Sequence, residues 1–175
     1  MEFEVIGWPE DRPTLDLDHR SFSYAGKFVM SNSGKAVLRE HDSIIAAASF
    51  NEDRSASDRM WIRYVTVRGD HQGNAIGSHL VWTVSQRLLD RGFKAVNIAV
   101  NNPFAFQAFH RAGFGYTGEQ TGIAELVLST AEAEHARYRN GLLVFRDRAD
   151  LSEPEYAFID QHLVDGPPEP LESVE

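Results

Sequence analysis

Residues 60–77 read Met60-Trp-Ile-Arg-Tyr-Val-Thr-Val67-Arg-Gly-Asp-His-Gln-Gly-Asn-Ala-Ile-Gly77. The first eight are apolar and β-branched and predict a strand; the next ten are a glycine-rich turn; the pattern that follows, to Arg91-Gly92, predicts a helix. A strand that empties through such a turn straight into a helix presents unpaired backbone N–H groups and a positive dipole end at one spot, which favours a bound anion. The glycines are Gly69, Gly73 and Gly77, four apart. That spacing is neither the dinucleotide fingerprint Gly-x-Gly-x-x-Gly nor the phosphate loop ending in Gly-Lys-Ser/Thr.

Working outward, Ile76, Leu80, Val81, Val84 and Leu88 form one apolar stripe on the helix, with Gly92 placed for a C-terminal cap, so the helix is expected to pack on a sheet. Val96, Ile98 and Val100 alternate with Ala95, Asn97 and Ala99, and strand, helix and strand together predict a right-handed crossover joining parallel strands. Asn102-Pro103 is an N-cap followed by a first-turn proline, Phe104–Arg111 a short helix closed by Gly113, and Phe114–Thr117 and Ile123–Leu128 two further strands. Upstream, Glu2–Gly7 reads as a first strand broken by Pro9-Glu-Asp-Arg-Pro13. The segment to Phe28 reads as short helices or irregular structure. Ala36–His41 and Ser43–Phe50 read as a hairpin about His41-Asp42. Beyond Ser129, the expectations are a helix over Ala131–Tyr138, a strand over Gly141–Phe145 and a capped helix over Ser152–Leu163 with Tyr156, Ile159 and Leu163 on one face. Residues 165–175 are acidic and proline-rich and are expected as a loose tail.

A chain of 175 residues with 42% hydrophobic content is one domain's worth, and no apolar run approaches membrane-spanning length. The net charge of -9 argues against nucleic acid and anionic membrane as partners. There is no cysteine for a disulfide or thiolate site, and the seven histidines lack His-Glu-x-x-His or other metal spacing, so no metal is expected. Ser78 and His79 face different ways on a helix, and with no Gly-x-Ser-x-Gly turn a hydrolase triad is disfavoured. The N-terminus lacks the segments of a secretion signal, so a cytoplasmic location is expected. The only lysines are Lys27, Lys35 and Lys94, and an acidic, lysine-poor surface is similar to that of proteins from high-salt organisms.

Gln72-Gly-Asn-Ala-Ile-Gly77 resembles the pyrophosphate loop of the GNAT acetyltransferases, Arg/Gln-x-x-Gly/Ala-x-Gly/Ala, with Ala75 where glycine is usual. Asn102-Pro-Phe-Ala105-Phe-Gln-Ala-Phe109-His-Arg-Ala-Gly113-Phe114 resembles the family's Asn-x-x-Ala-x-x-x-Tyr-x-x-x-Gly-Phe segment. Two motifs in the right order, about 30 residues apart, are far harder to obtain by chance than either alone. The resemblance implies an α/β (α+β) fold: a mixed, mostly antiparallel sheet with a central strand-turn-helix-strand crossover and helices on both faces. Residues 1–129 would form the acetyltransferase domain and 130–164 an extension packed on it. This extension either covers the acceptor cleft or pairs with a second copy in a homodimer.

The implied activity is transfer of an acetyl group from acetyl-coenzyme A, without a metal, to the primary amine of a small molecule or peptide by direct attack in a ternary complex. Backbone groups of Val65 and Val67 would line the pantetheine arm and polarise the carbonyl. Gln72, Gly73, Asn74, Ala75, Ile76, Gly77 and Ser78 would receive the pyrophosphate; His71, by its place in the candidate anion loop, is either a further positive charge there or an ordinary surface histidine. Asn102 and Ala105 would pack by the pantetheine arm and Phe109 near the sulfur. Phe109 replaces the family's tyrosine and has no hydroxyl, and Arg63 stands where many members carry a glutamate base. Tyr64, His110 and Tyr116 are therefore the candidates for proton handling. Two other readings follow from these departures: a non-catalytic acyl-coenzyme A sensor or interaction module, and an acyltransferase using a larger donor such as succinyl-coenzyme A held by Arg63. The acidic average suits a cationic amine or basic peptide terminus.

Overall fold

The computed structural model describes residues 1–73, 75–122, 124–132 and 136–171. They fall into two compact units, one over Met1–Val96 and one from Asn97 onward. The class is mixed α/β with seven strands, mostly antiparallel.

In the first unit, β1 (Glu2–Gly7), β2 (Gly34–Glu40), β3 (Ser43–Glu52) and β4 (Arg59–Val67) pair antiparallel in that order. The register runs Val5↔Ala36, Ala36↔Ala48 and Ala48↔Val65 across the sheet. The expected hairpin is β2–β3, and its two turn residues, His41 and Asp42, have φ of 50° and 65°. Two left-handed residues make a type I′ turn, whose twist matches the strands it joins.

Helices cover both faces of these four strands. The short α1 (Ala25–Phe28) and the loop before it bring Leu17, Phe22, Ala25 and Phe28 against Val37 and Ala47, with Tyr64 partly buried at the edge. On the opposite face, Val84 and Arg87 of α2 (Ile76–Asp90) meet Phe3, Val5, Ala36 and Phe50. All five stripe positions of α2 are buried, each worth about 1.5–3 kcal/mol if moved fully out of water. The helix ends as Gly92 predicts: φ is 101°, and Gly92 N–H donates to Leu89 O and Phe93 N–H to Leu88 O, the Schellman pattern.

The core of this unit includes a lysine. Lys35 of β2 is fully buried, and burial pushes its pKa down. Its ammonium donates to the carbonyls of Pro13 (2.9 Å), Ser33 (2.9 Å) and Met30 and contacts Ser33 Oγ at 3.0 Å. A single side chain thus ties together both ends of the segment that carries α1.

In the second unit, β5 (Ala95–Val100), which begins at the end of the first, pairs antiparallel with β7 (Glu125–Ser129), and β7 with β6 (Gly115–Thr121). Asn102 caps α3 (Pro103–Arg111) by accepting Ala105 N–H at 2.8 Å, as its sequence predicts. The strand expected over Gly141–Phe145 is instead part of α4 (Ala136–Arg146). Tyr138, Leu142 and Phe145 recur at spacings of four and three and are all buried, so the run's true period is helical. Gly141 faces Phe106 of α3 so closely that an added Cβ would lie 2.3 Å from the ring. The final helix, α5 (Glu153–Asp165), opens with the reciprocal Ser152–Glu155 capping box; Ile159 is buried, with Tyr156 and Leu163 half-buried.

Of the earlier expectations, Ile123, residues 133–135 of the Ala131–Tyr138 helix and residues 172–175 of the tail lie outside the described residues.

Candidate active site

The candidate anion site lies where β4 ends. Arg68 N–H continues the ladder to Ile45 O (2.8 Å), Gly69 N–H turns away to Ser21 O (3.0 Å), and Gly69–His71 make one 3-10 turn. Gln72 folds back, its side-chain amide donating to Val67 O at 3.3 Å. Gly73 (φ 88°) and Ala75 (φ 60°) are both left-handed, and Ala75 is the N-cap of α2. Asn74, between them, lies outside the described residues. The first intrahelical bond of α2 runs from His79 N–H to Ala75 O, so the N–H groups of Ile76, Gly77 and Ser78 precede it. The N-cap, Ala75, supplies no side-chain cap, and the first turn holds no acidic residue. These features fit an anionic group: N–H donors without a partner among the described residues, a positive dipole end and no acidic residue in the first turn.

At Gly77 a Cβ would lie in ordinary contact 3.5 Å from the Val67 side chain, which places the helix start beside the strand end without requiring glycine there. Ser78 differs from expectation in one respect. Its hydroxyl donates inward to Ala75 O at 3.0 Å and the residue is buried, so only its backbone N–H is available to a ligand.

Charges beside the turn are paired. Arg68 Nε lies 2.7 Å from Asp70 Oδ1, His71 Nδ1 2.8 Å from the same oxygen, and His71 Nε2 3.5 Å from Glu40. Arg68 first, then His71, hold the Asp70 carboxyl down to about 2, and the Asp70 hydrogen bond raises His71 above its usual value. His71 therefore keeps its positive charge to higher pH than a free imidazole. Arg68, Asp70 and Glu40 carry no motif that marks them in the sequence; the alternating signs of Arg68, Asp70 and His71 are the one available signal.

Of the candidate proton-handling groups, Tyr64 lies in the first unit, half-buried, its ring 5.6 Å from that of Tyr24. Val65 and Val67, on either side of buried Thr66, are themselves half-buried. Arg63 is committed elsewhere, with Nε 2.6 Å from Asn51 Oδ1 and its guanidinium over the Trp61 ring at 5.1 Å. In the second unit, the fold brings His110 and Tyr116 together around Phe106, at ring separations of 6.5 and 6.4 Å, with Tyr138 4.7 Å from His110. Both are buried, so an aromatic cluster encloses them. Asn102, Ala105 and Phe109 are half-buried on α3. Among the described residues, no group of His, Asp or Glu could hold a metal ion, and no helix is long and apolar enough to cross a membrane.

A sequence model of the acetyltransferase (GNAT) family matches residues 2–116, and the chain belongs to that family. Among solved structures it is similar to a Bacillus subtilis acetyltransferase in complex with coenzyme A, at 13% identity and a TM-score of 0.57, covering 73% of this chain and 95% of that one. It is also similar to an IAA acetyltransferase from Bacillus cereus (17%, TM-score 0.50, 73% and 97% covered). A nourseothricin acetyltransferase matches at 17% identity with a TM-score of 0.50, covering 73% and 96%. At such identities the likeness is one of fold. No curated protein matches the chain.

Proposed function

We propose that the protein is a cytoplasmic N-acetyltransferase that moves the acetyl group of acetyl-coenzyme A to a primary amine by direct attack. The observation that carries this reading is the start of α2, where the N-cap Ala75 supplies no side-chain cap and, like Gly73, is left-handed, in a chain of the acetyltransferase family. Gln72, Gly73, Asn74, Ala75, Ile76, Gly77 and the Ser78 backbone take the pyrophosphate. Backbone groups of Val65 and Val67 take the pantetheine arm and orient the thioester carbonyl. Asn102, Ala105 and Phe109 are assigned to the same ligand by motif.

In the reaction, the amine nitrogen forms a bond to the acetyl carbon, the carbon–sulfur bond breaks, and the amine's proton passes to a base or to water. A coenzyme A thiol is acidic enough to leave as thiolate, so Phe109 need not donate a proton. Tyr64 is the preferred proton-handling group, because it neighbours Val65 and is not enclosed as His110 and Tyr116 are.

The test is the thermal midpoint with acetyl-coenzyme A, coenzyme A, NAD and ATP, at low and high salt. At a hundredfold its dissociation constant, a ligand of the native state adds about 2.7 kcal/mol. For a chain of this size that is a shift of roughly 5–10 °C. Only the coenzyme A compounds should produce it; no shift from them in either salt sinks the reading. Thiol release on adding an amine then excludes the non-catalytic sensor.

A further inference from the structure

Two of the three lysines in this chain are engaged. Lys35 is sealed in the interior, and Lys94 lies 3.8 Å from the Asp58 carboxylate. Lys27 is exposed on α1 with its ammonium 5.7 Å from the centroid of the Tyr64 ring, and it forms no ion pair among the described residues. Tyr24, the residue before α1, leans on the same ring at 5.6 Å and 44°. It is 58% exposed and holds φ at 61°, a left-handed backbone that costs a tyrosine energy. A ring mostly in water contributes little to the core, and backbone strain that folding does not need clusters at ligand sites.

A second observation concerns the same face of the sheet. Alternation puts Tyr64 and Thr66 of β4 on one face, and the register sets Ser49 of β3 directly opposite Tyr64. The hydroxyls of Ser49 and Thr66 are buried there with no hydrogen-bond partner. Buried polar atoms are nearly always satisfied, so two orphans beside one ring mark hydrogen-bonding capacity that folding leaves unused.

We propose that Tyr24, Lys27 and Tyr64 form the acceptor-recognition site, and that its acceptor is an amine carrying both a flat aromatic group and a carboxylate. The proposal rests on the acetyltransferase reading, in which the Val65 backbone faces the thioester. The attacking nitrogen must come within about 3–3.5 Å of the carbonyl, so the rest of the acceptor lies against what surrounds Tyr64. Tyr24 and Tyr64 offer aromatic faces to a ring. Lys27 offers a carboxylate an ammonium that forms no ion pair among the described residues, and the orphan hydroxyls of Ser49 and Thr66 lie on the same face of the sheet as Tyr64. The chain's negative average favours cations at long range, but salt screens that field beyond about 8 Å. At contact distance the local ammonium governs, and it repels an acceptor that is only cationic.

Equilibrium binding to the full chain, read by ligand-observed NMR with and without saturating coenzyme A, tests this. The probes are L-phenylalanine, phenethylamine, which lacks the carboxylate, and L-alanine, which lacks the ring. L-Phenylalanine should bind about tenfold tighter than either. Lys27→Met should abolish its advantage over phenethylamine, and Tyr24→Gly its advantage over L-alanine. Tyr24→Gly should also leave the thermal midpoint unchanged or raised, because glycine accepts the left-handed backbone; a purely structural Tyr24 would lower it. Equal binding of L-phenylalanine and phenethylamine, preference for phenethylamine, or no binding of L-phenylalanine overturns the proposal. Because the readout is binding rather than turnover, a failure here is distinct from a failure of acetyl-coenzyme A to raise the thermal midpoint.

Discussion

Ala75 holds a left-handed backbone at the head of α2, φ 60°, where the family's motif more often has glycine. An L-residue pays about 1–2 kcal/mol for that region, while glycine pays a smaller entropy cost on folding. Ala75→Gly should therefore raise stability by ~0.5–1 kcal/mol in urea titration and leave coenzyme A binding intact; a loss of stability would mean the φ is not intrinsic to the turn. His71, nearby, has its pKa raised by Asp70 and then Glu40. Its stabilisation is fully present below the unfolded value of about 6.5 and is lost as pH rises through the higher folded value. The thermal midpoint of wild type should exceed that of His71→Gln most near pH 6, and the difference should shrink as pH rises. Coenzyme A affinity should weaken over the same window. A difference independent of pH would show that His71 acts only by packing.

At the scale of elements, legibility depended on length. The five-residue stripe of α2 recurs through four turns, and its period admits one reading. Gly141-Leu-Leu-Val-Phe145 is too short for that: five apolar residues fit a buried strand as well as a buried helix turn. The deciding partner, Tyr138, lies just after residues 133–135, where the pattern is polar. Gly141, which weakens a helix by about 0.8–1 kcal/mol, pointed the wrong way. Its reason is tertiary, the Phe106 ring of α3 against its Cα. Gly141→Ala should consequently cost about 1–3 kcal/mol by overpacking, outweighing the propensity gain. Phe106→Leu, costly alone, should cost less in the Gly141→Ala background, as a double-mutant cycle would measure. Strict additivity would exclude the contact.

Across the whole molecule, the proposed cofactor side can be argued from sequence because its chemistry is local: glycine spacing, a strand end and a helix start in one stretch. The acceptor side cannot be, because Tyr24, Lys27, Ser49 and Tyr64 meet only through strand register and the packing of α1, and the segment around α1 has no period to read. The same holds for Lys35, which in sequence is an ordinary polar residue opening a strand. Its burial makes it a built-in gauge of breathing. An amine-directed reagent reaches exposed Lys27 and Lys94 at once, but reaches the Lys35 amine only when the segment from Pro13 to Ser33 lifts from the sheet. Mass spectrometry of labelled peptides should therefore find two fast lysines and one slow one, and labelling of all three in the burst would contradict the enclosure. The slow rate reports how often the α1 segment opens, and a ligand held there should slow it further.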